Sequence, residues 1–276
     1  MKIKNLVLII LMAVSSIHST SAFAGSYETG KQLYEQKKYS QSYSYLKKSL
    51  STKHPDSYGM LGYLYREGYG VKQDYQKAMF WYGKSADQGN PQAMYDIGVM
   101  YDFGQGVKQD HEKAIQWYQR SALKGYADAQ YNLGIAYEKG EGTQQNYAKA
   151  REWYQKAVTQ GNVSAMVNLG NLYGEGLGGE KNDSKAFDLY KKAAEKGDSA
   201  AQYNLAEYYR AGLATPRDLD KAIYWYEKSA AEGTIKAMDK LARIYRVGYK
   251  HIPANQALSD EWADKAAKAR AREAVR

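Results

Sequence analysis

A 36-residue period runs through most of this chain and restricts it to a stacked array of like parts. The stretch Pro91–Tyr126, PQAMYDIGVMYDFGQGVKQDHEKAIQWYQRSALKGY, matches again when slid along by that interval. Trp81, Trp117, Trp153 and Trp225 fall in register, with Leu189 in place of the missing one, and Tyr82, Tyr118, Tyr154, Tyr190 and Tyr226 follow them. Gly68, Gly104, Gly140, Gly176, Gly212 and Gly248 form a third column, and Gly89, Gly125, Gly161, Gly197 and Gly233 a fourth. Units of this length cannot each close a core, so they bury their apolar faces on their neighbours.

The first half of the unit has a helical pattern. Asn90 suits an N-cap and Pro91 the first turn, where its missing N–H costs nothing. Ala93, Ile97, Gly98 and Tyr101 then lie on one stripe of a 3.6-residue helix. Glycine inside a helix costs roughly 1 kcal/mol against alanine, so Gly98 implies close approach of a second helix. Gly104 and Gly106 break the first helix. Asp110 caps the second, which carries Ala114, Trp117, Tyr118, Ser121 and Ala122 and ends at Gly125. The Trp column is expected to be packing material between pairs, in keeping with the usual role of large buried aromatics.

The pattern A-x-x-x-[LI]-G-x-x-Y-x-x-G-x-G-V-x-x-D-x-x-K-A-x-x-W-Y-x-[KR]-[SA]-A-x-x-G stands almost intact at 93–125. In it the chain resembles the Sel-one-like repeat (SLR) family, a relative of the tetratricopeptide repeat. The resemblance implies an all-α, right-handed α-solenoid of stacked antiparallel helix pairs. It covers 55–234 as five units (55–90, 91–126, 127–162, 163–198 and 199–234) and continues, degenerate, through 235–276 with a C-terminal capping helix. Residues 25–54 resemble a tetratricopeptide-like capping pair.

Ahead of the repeats, Lys2 and Lys4, the apolar run Leu6–Val14 and Ala22-Phe23-Ala24 form the pattern of a cleavable secretory signal over 1–24. The mature chain is expected to begin at Gly25 and to be exported, periplasmic or secreted. There is no cysteine, which removes thiol catalysis and thiolate metal sites and departs from SLR proteins that staple each pair with a disulfide. The fourth unit crowds Gly174, Gly176, Gly178 and Gly179 into its turn and is expected to be the softest. The fifth replaces its second turn glycine with Ala214 and adds Pro216, which is expected to stiffen that loop.

No catalytic constellation emerges. Gly25–Lys31 mimics a phosphate-binding loop, but Gln32 stands where Ser or Thr must bind magnesium. Gly174–Gly179 fits G-x-G-x-x-G yet follows a helix instead of a strand. Ser121-Ala-Leu-Lys124 and Ser44-Tyr-Leu-Lys47 fit S-x-x-K, while S-D-N and K-T-G are missing. Ser121 also shares a column with Ser85, Ala157, Ala193 and Ser229, where small size is the common property. His54, His111 and His251 belong to different units and cannot converge. We therefore expect no catalytic residue, no metal and no cofactor. The formal charge of +9 falls to +7 without Lys2 and Lys4 and is offset by 30 interleaved carboxylates, so a nucleic-acid partner is not expected.

In tetratricopeptide-like stacks the first helices line the concave face. By that resemblance Tyr95, Val99, Asp102 and Phe103 face a groove, with Tyr63, Arg66 and Glu67, then Tyr131, Ile135, Glu138 and Lys139, Val167 and Asn171, Tyr203, Glu207 and Arg210, and Asp239, Arg243 and Arg246 as counterparts. Tyr63, Tyr95, Tyr131 and Tyr203 suggest a recognition surface; the alternative is that their rings only pack against adjacent helices. Asp102, Asp128 and Glu138 against Arg210, Lys236, Arg243 and Arg246 suggest a graded groove for a protein or peptide. The functional expectation is a non-catalytic scaffold. Its alternatives are a secreted or surface factor binding a host protein, and a β-lactamase-like or cell-wall enzyme.

Overall fold

The computed structural model describes residues 25–52, 55–249 and 251–274. The expected signal over 1–24 and His54 lie outside these residues. The described chain is built from helices, with one isolated bridge between Tyr249 and Ile252. Helix α1 covers 25–35, and α2 covers Tyr39–Ser49. The first and second helices of successive pairs follow: α3 Pro55–Glu67 and α4 Tyr75–Asp87, α5 Pro91–Phe103 and α6 His111–Leu123, α7 Ala127–Lys139 and α8 Tyr147–Thr159. Then come α9 Val163–Glu175 and α10 Asp183–Glu195, α11 Ser199–Ala211 and α12 Leu219–Ala231, α13 Ile235–Val247 and α14 Gln256–Ala274.

These helices form two compact units, one of residues up to 136 with 140–144, the other of 137–139 with 145–276. In the first, α3 packs on α4, α4 on α5 and α5 on α6; in the second, each helix from α8 to α14 packs on the next. That serial packing of helix pairs is the solenoid arrangement.

Capping chemistry sets the boundaries. Asn90 accepts from the Ala93 N–H at 3.0 Å, with Pro91 in the first turn behind it. Asp74, Asp110, Asn146, Asn182 and Asp218 cap the second helices through the N–H three residues on. First helices stop at a left-handed glycine, Gly104 at φ 66° being typical. Gly106 follows at φ 70°, and a Cβ there would stand 2.4 Å from Cβ of Tyr75 in the preceding pair. The turn glycines thus let each loop lie on the start of the previous second helix. Gly178 does the same against Tyr147 backbone at 2.4 Å, so the G-x-G-x-x-G match is explained by packing.

Pairs close by aromatic-on-glycine contact. A Cβ at Gly98 would meet the Tyr118 ring at 2.6 Å, one at Gly62 the Tyr82 ring at 2.6 Å, and one at Gly170 the Tyr190 ring at 2.7 Å. The close approach anticipated at Gly98 is therefore present, and its partner is the tyrosine. Tyr82, Tyr154 and Tyr226 are fully buried, and Tyr118 and Tyr190 nearly so. Trp81, Trp117, Trp153 and Trp225 are only half-buried. Trp81, Trp117 and Trp225 nonetheless pack against the buried clusters that contain Leu61, Ile97 and Tyr226, the packing role expected of the column, while Arg120 at 4.0 Å and Lys156 at 3.9 Å lie over the rings of Trp117 and Trp153.

Candidate functional site

The buried tyrosines bring a polar atom to the first-helix side of each pair, and that atom needs a partner. Tyr118 donates to Asp102 at 3.1 Å. Tyr154 donates to Glu138 at 2.5 Å and accepts from Asn168 at 3.1 Å. Tyr190 donates to Asn171 at 2.7 Å, and Tyr226 donates to Glu207. Burial first, then Asp102 for Tyr118, Glu207 for Tyr226, and Tyr208 with Glu175 and Asp183 for Tyr190, push these phenols well above the ordinary tyrosine range. Several side chains anticipated as groove contacts are thus committed to holding the pairs together. Tyr82 differs: its buried hydroxyl has no hydrogen-bond partner among the described residues.

In the second unit, Glu207 is a hub. Arg210 reaches it at 2.6 Å and Lys240 at 2.7 Å. Burial alone would raise the Glu207 carboxyl, but hydrogen bonds from Arg210, Lys240 and Tyr226 bring it below its ordinary value. Arg210 is accordingly matched by an internal partner, and the basic part of the anticipated gradient reduces to Lys236, Arg243 and Arg246, all exposed. Tyr203 packs on Tyr226, ring centroids 5.8 Å apart.

In the first unit, Tyr95 is half-buried between Tyr118 and Tyr126, at 5.6 and 5.3 Å. Its ring is a packing element as well as a surface. Val99 and Tyr131 are half-buried, and Phe103 is 70% exposed. Tyr63 stands in register with Val99, and Gly59 with Tyr95, Tyr131 and Tyr203. The grouping of Tyr63 with the other three tyrosines as equivalents is therefore corrected by one helical turn.

That vacancy in the tyrosine register opens a cavity of about 440 Å³ between α1, α3 and α5. Tyr27, Tyr34 and Tyr63 supply its aromatic wall, Asp56 and Asp96 its carboxylates, and Lys31 and Glu35 of α1 also line it. Tyr34 meets Tyr63 edge-on at 5.9 Å. Asp96 is 7% exposed and accepts from Arg66 at 3.1 Å. Burial raises its carboxyl to about 6 despite that cation. Tyr63 is the one member anticipated from the sequence. Gly59 and Asp96 had a signal of their own: each departs from its column, Asp96 replacing the Asn of 132, 168 and 204.

Nothing in the geometry assembles an acyl-transfer site at Ser121. It is fully buried, and its hydroxyl donates to the Pro91 carbonyl at 2.6 Å; Ser229 donates to the Ser199 carbonyl in the same way, at 2.7 Å. His111 pairs with Asp102 at 2.7 Å and His251 with Asp220 at 3.3 Å. Among the described residues no group of three or more His, Asp or Glu could hold a metal ion, and no helix is long and apolar enough to cross a membrane.

Comparison with known proteins places this geometry. Among solved structures, the chain is similar to a Sel1 repeat protein from Oxalobacter formigenes, with 36% identity and a TM-score of 0.77 over 87% of this chain and 96% of the other. It is also similar to a protective antigen of uropathogenic Escherichia coli strains that displays an SLR fold, with 30% identity and a TM-score of 0.72. That match covers 94% of this chain, which spans 64% of the antigen. No functionally curated protein matches significantly. The Sel1 repeat model matches at 55–90, 91–126, 127–162, 163–198, 199–234 and 235–270. The chain belongs to the Sel1 repeat family, whose members generally serve as protein-interaction scaffolds.

Proposed function

We propose that this protein is an exported, non-catalytic scaffold that binds a protein or peptide along its first-helix face. The observation carrying this is the cavity between α1, α3 and α5, flanked by half-buried tyrosines on first helices. Tyrosine on rigid helices gives large contact area at small entropic cost. Export rests on the signal pattern of residues 1–24, and the periplasm is the compartment proposed.

A second reading is a secreted or surface factor that binds a host protein. Its support is the similarity to the uropathogenic protective antigen. In-envelope crosslinking from photoreactive residues at Tyr95 and Tyr131, followed by mass spectrometry, tests the scaffold. A discrete partner crosslinked at both positions is the expected result, and a protein that crosslinks to nothing overturns it. Protease treatment of intact cells separates the readings: protection places the protein in the periplasm, digestion on the surface.

A further inference from the structure

We infer that the cavity between α1, α3 and α5 is a binding pocket for one cationic side chain, an arginine or lysine of a peptide partner. Two departures from the repeat converge on it. At the register of Tyr95, Tyr131 and Tyr203 the first repeat carries Gly59, and at the register of Asn132, Asn168 and Asn204 the second carries Asp96. A third change opens the same space: Asn90 stands where the next repeat has Tyr126, the ring that packs on Tyr95 at 5.3 Å.

Packing does not demand the glycine. A Cβ at Gly59 would meet only the Ser85 hydroxyl, at 3.4 Å, an ordinary contact, whereas three positions later at Gly62 it would collide with the Tyr82 ring at 2.6 Å. Glycine in a helix interior is unfavourable, so Gly59 weakens α3 and leaves a vacancy in return. The vacancy is not apolar. Its wall is made of Tyr27, Tyr34 and Tyr63, and Asp56, Asp96, Glu35 and Lys31 line it as well, Asp56 accepting from the Asn90 amide at 2.7 Å and Asp96 paired with Arg66, so that carboxylates still outnumber cations by three to two.

Aromatic faces and an excess of carboxylates select a cation. Asp96 is the strongest element because it is buried, so its charge is weakly screened by solvent. Arg66 already occupies its Oδ1 at 3.1 Å. Burial nevertheless holds the carboxyl above its ordinary range, so a second cation entering from the cavity relieves an incompletely compensated charge. An anionic group would meet three carboxylates and is disfavoured. The volume of about 440 Å³ accommodates one long side chain with its flanking backbone.

This inference rests on the scaffold reading, and one set of measurements tells the two apart. The probes are N-acetyl-Gly-Arg-Gly-amide and its neutral citrulline counterpart, titrated calorimetrically at low salt and neutral pH. The arginine peptide is expected to bind at least about tenfold more tightly than the citrulline one. Gly59→Tyr, which restores the residue at Tyr95, Tyr131 and Tyr203, should abolish the binding. Asp96→Asn, which restores the repeat asparagine and keeps the shape, should weaken it about tenfold. Thermal melts verify that both variants fold; should Gly59→Tyr fail, Asp96→Asn decides alone. Equal binding of the two peptides, unchanged binding in the folded variants, or no arginine binding below about 10 mM overturns the proposal. Loss of peptide binding in Gly59→Tyr together with loss of envelope crosslinks at Tyr95 supports it. Envelope crosslinks that persist undiminished in Gly59→Tyr overturn the pocket and leave the scaffold standing.

Discussion

At Gly98 an added Cβ would stand 2.6 Å from two ring carbons of Tyr118 and 3.3 Å from the Ala114 carbonyl. The ring is nearly buried and the carbonyl belongs to the backbone, so neither retreats cheaply. Alanine there gains roughly 1 kcal/mol of helix propensity and incurs overpacking of about 1–3 kcal/mol. Gly98→Ala should therefore destabilise the protein, by up to about 2 kcal/mol on those two magnitudes. At Gly59 the same change meets only Ser85 at 3.4 Å, so Gly59→Ala should stabilise by about 0.5–1 kcal/mol. Urea unfolding of the pair checks both signs. A loss of stability at Gly59 would mean that the glycine serves packing after all.

At the scale of the helix and turn, the period-36 columns exposed which positions matter more clearly than what they do. Asn90 and Asp110 are recognisable as caps in the sequence because a cap is a local event, decided within three residues. The choice between Trp117 and Tyr118 was not local. Neighbouring residues on a helix differ by one step of rotation, and which of two aromatics turns inward depends on the glycine of the facing helix. Tyr63 shows a related limit. Periodicity alone places it on the first-helix face, while its exact register with Val99 decides whether it fills a space or borders one. Gly59 and Asp96 were legible as exceptions, but only the packing shows that they meet. The turn of the fifth pair gives a further test at this scale. Ala214 holds φ 60° where other pairs use Gly70, Gly106, Gly142 and Gly178 near φ 70°. A left-handed conformation costs a non-glycine residue about 1 kcal/mol or more. Ala214→Gly should therefore leave stability unchanged or raise it by up to about 1 kcal/mol, glycine's larger unfolded-state entropy taking back part of the gain. Gly106→Ala should lower it by at least about 2 kcal/mol, because the left-handed penalty is joined by a 2.4 Å contact with Cβ of Tyr75. Thermal or urea unfolding reads both, and a destabilised Ala214→Gly would show that the loop has rearranged to use the methyl group.

For the molecule as a whole, the response of stability to pH is set by which carboxyls leave their ordinary range, and in which direction. Asp96 is raised to about 6 from 3.8 by burial, against the pull of Arg66. Between those values the native protein binds more protons than the unfolded chain, so stability falls as pH rises. Asp74, Asp110 and Asp218 are lowered by the backbone N–H groups that they cap, and Glu207 by its cationic and phenolic partners. These contribute in the opposite sense, losing stability as pH falls, but they do so below about pH 4.5. The window from about pH 4.5 to 6.5 is therefore governed by Asp96, with the more weakly buried Glu227, also raised by burial, adding to the same slope. One pKa unit corresponds to roughly 1.4 kcal/mol, so the native protein should lose about 2 kcal/mol across that window. Asp96→Asn has no proton to release and keeps the shape, and it should flatten most of the slope. Urea midpoints measured at half-unit steps of pH for both proteins decide the matter. An equal slope in Asp96→Asn would place the titrating group elsewhere. It would also mean that Arg66 already compensates the Asp96 carboxylate, leaving cation selection in the α1, α3 and α5 cavity to its aromatic wall and to Asp56 and Glu35.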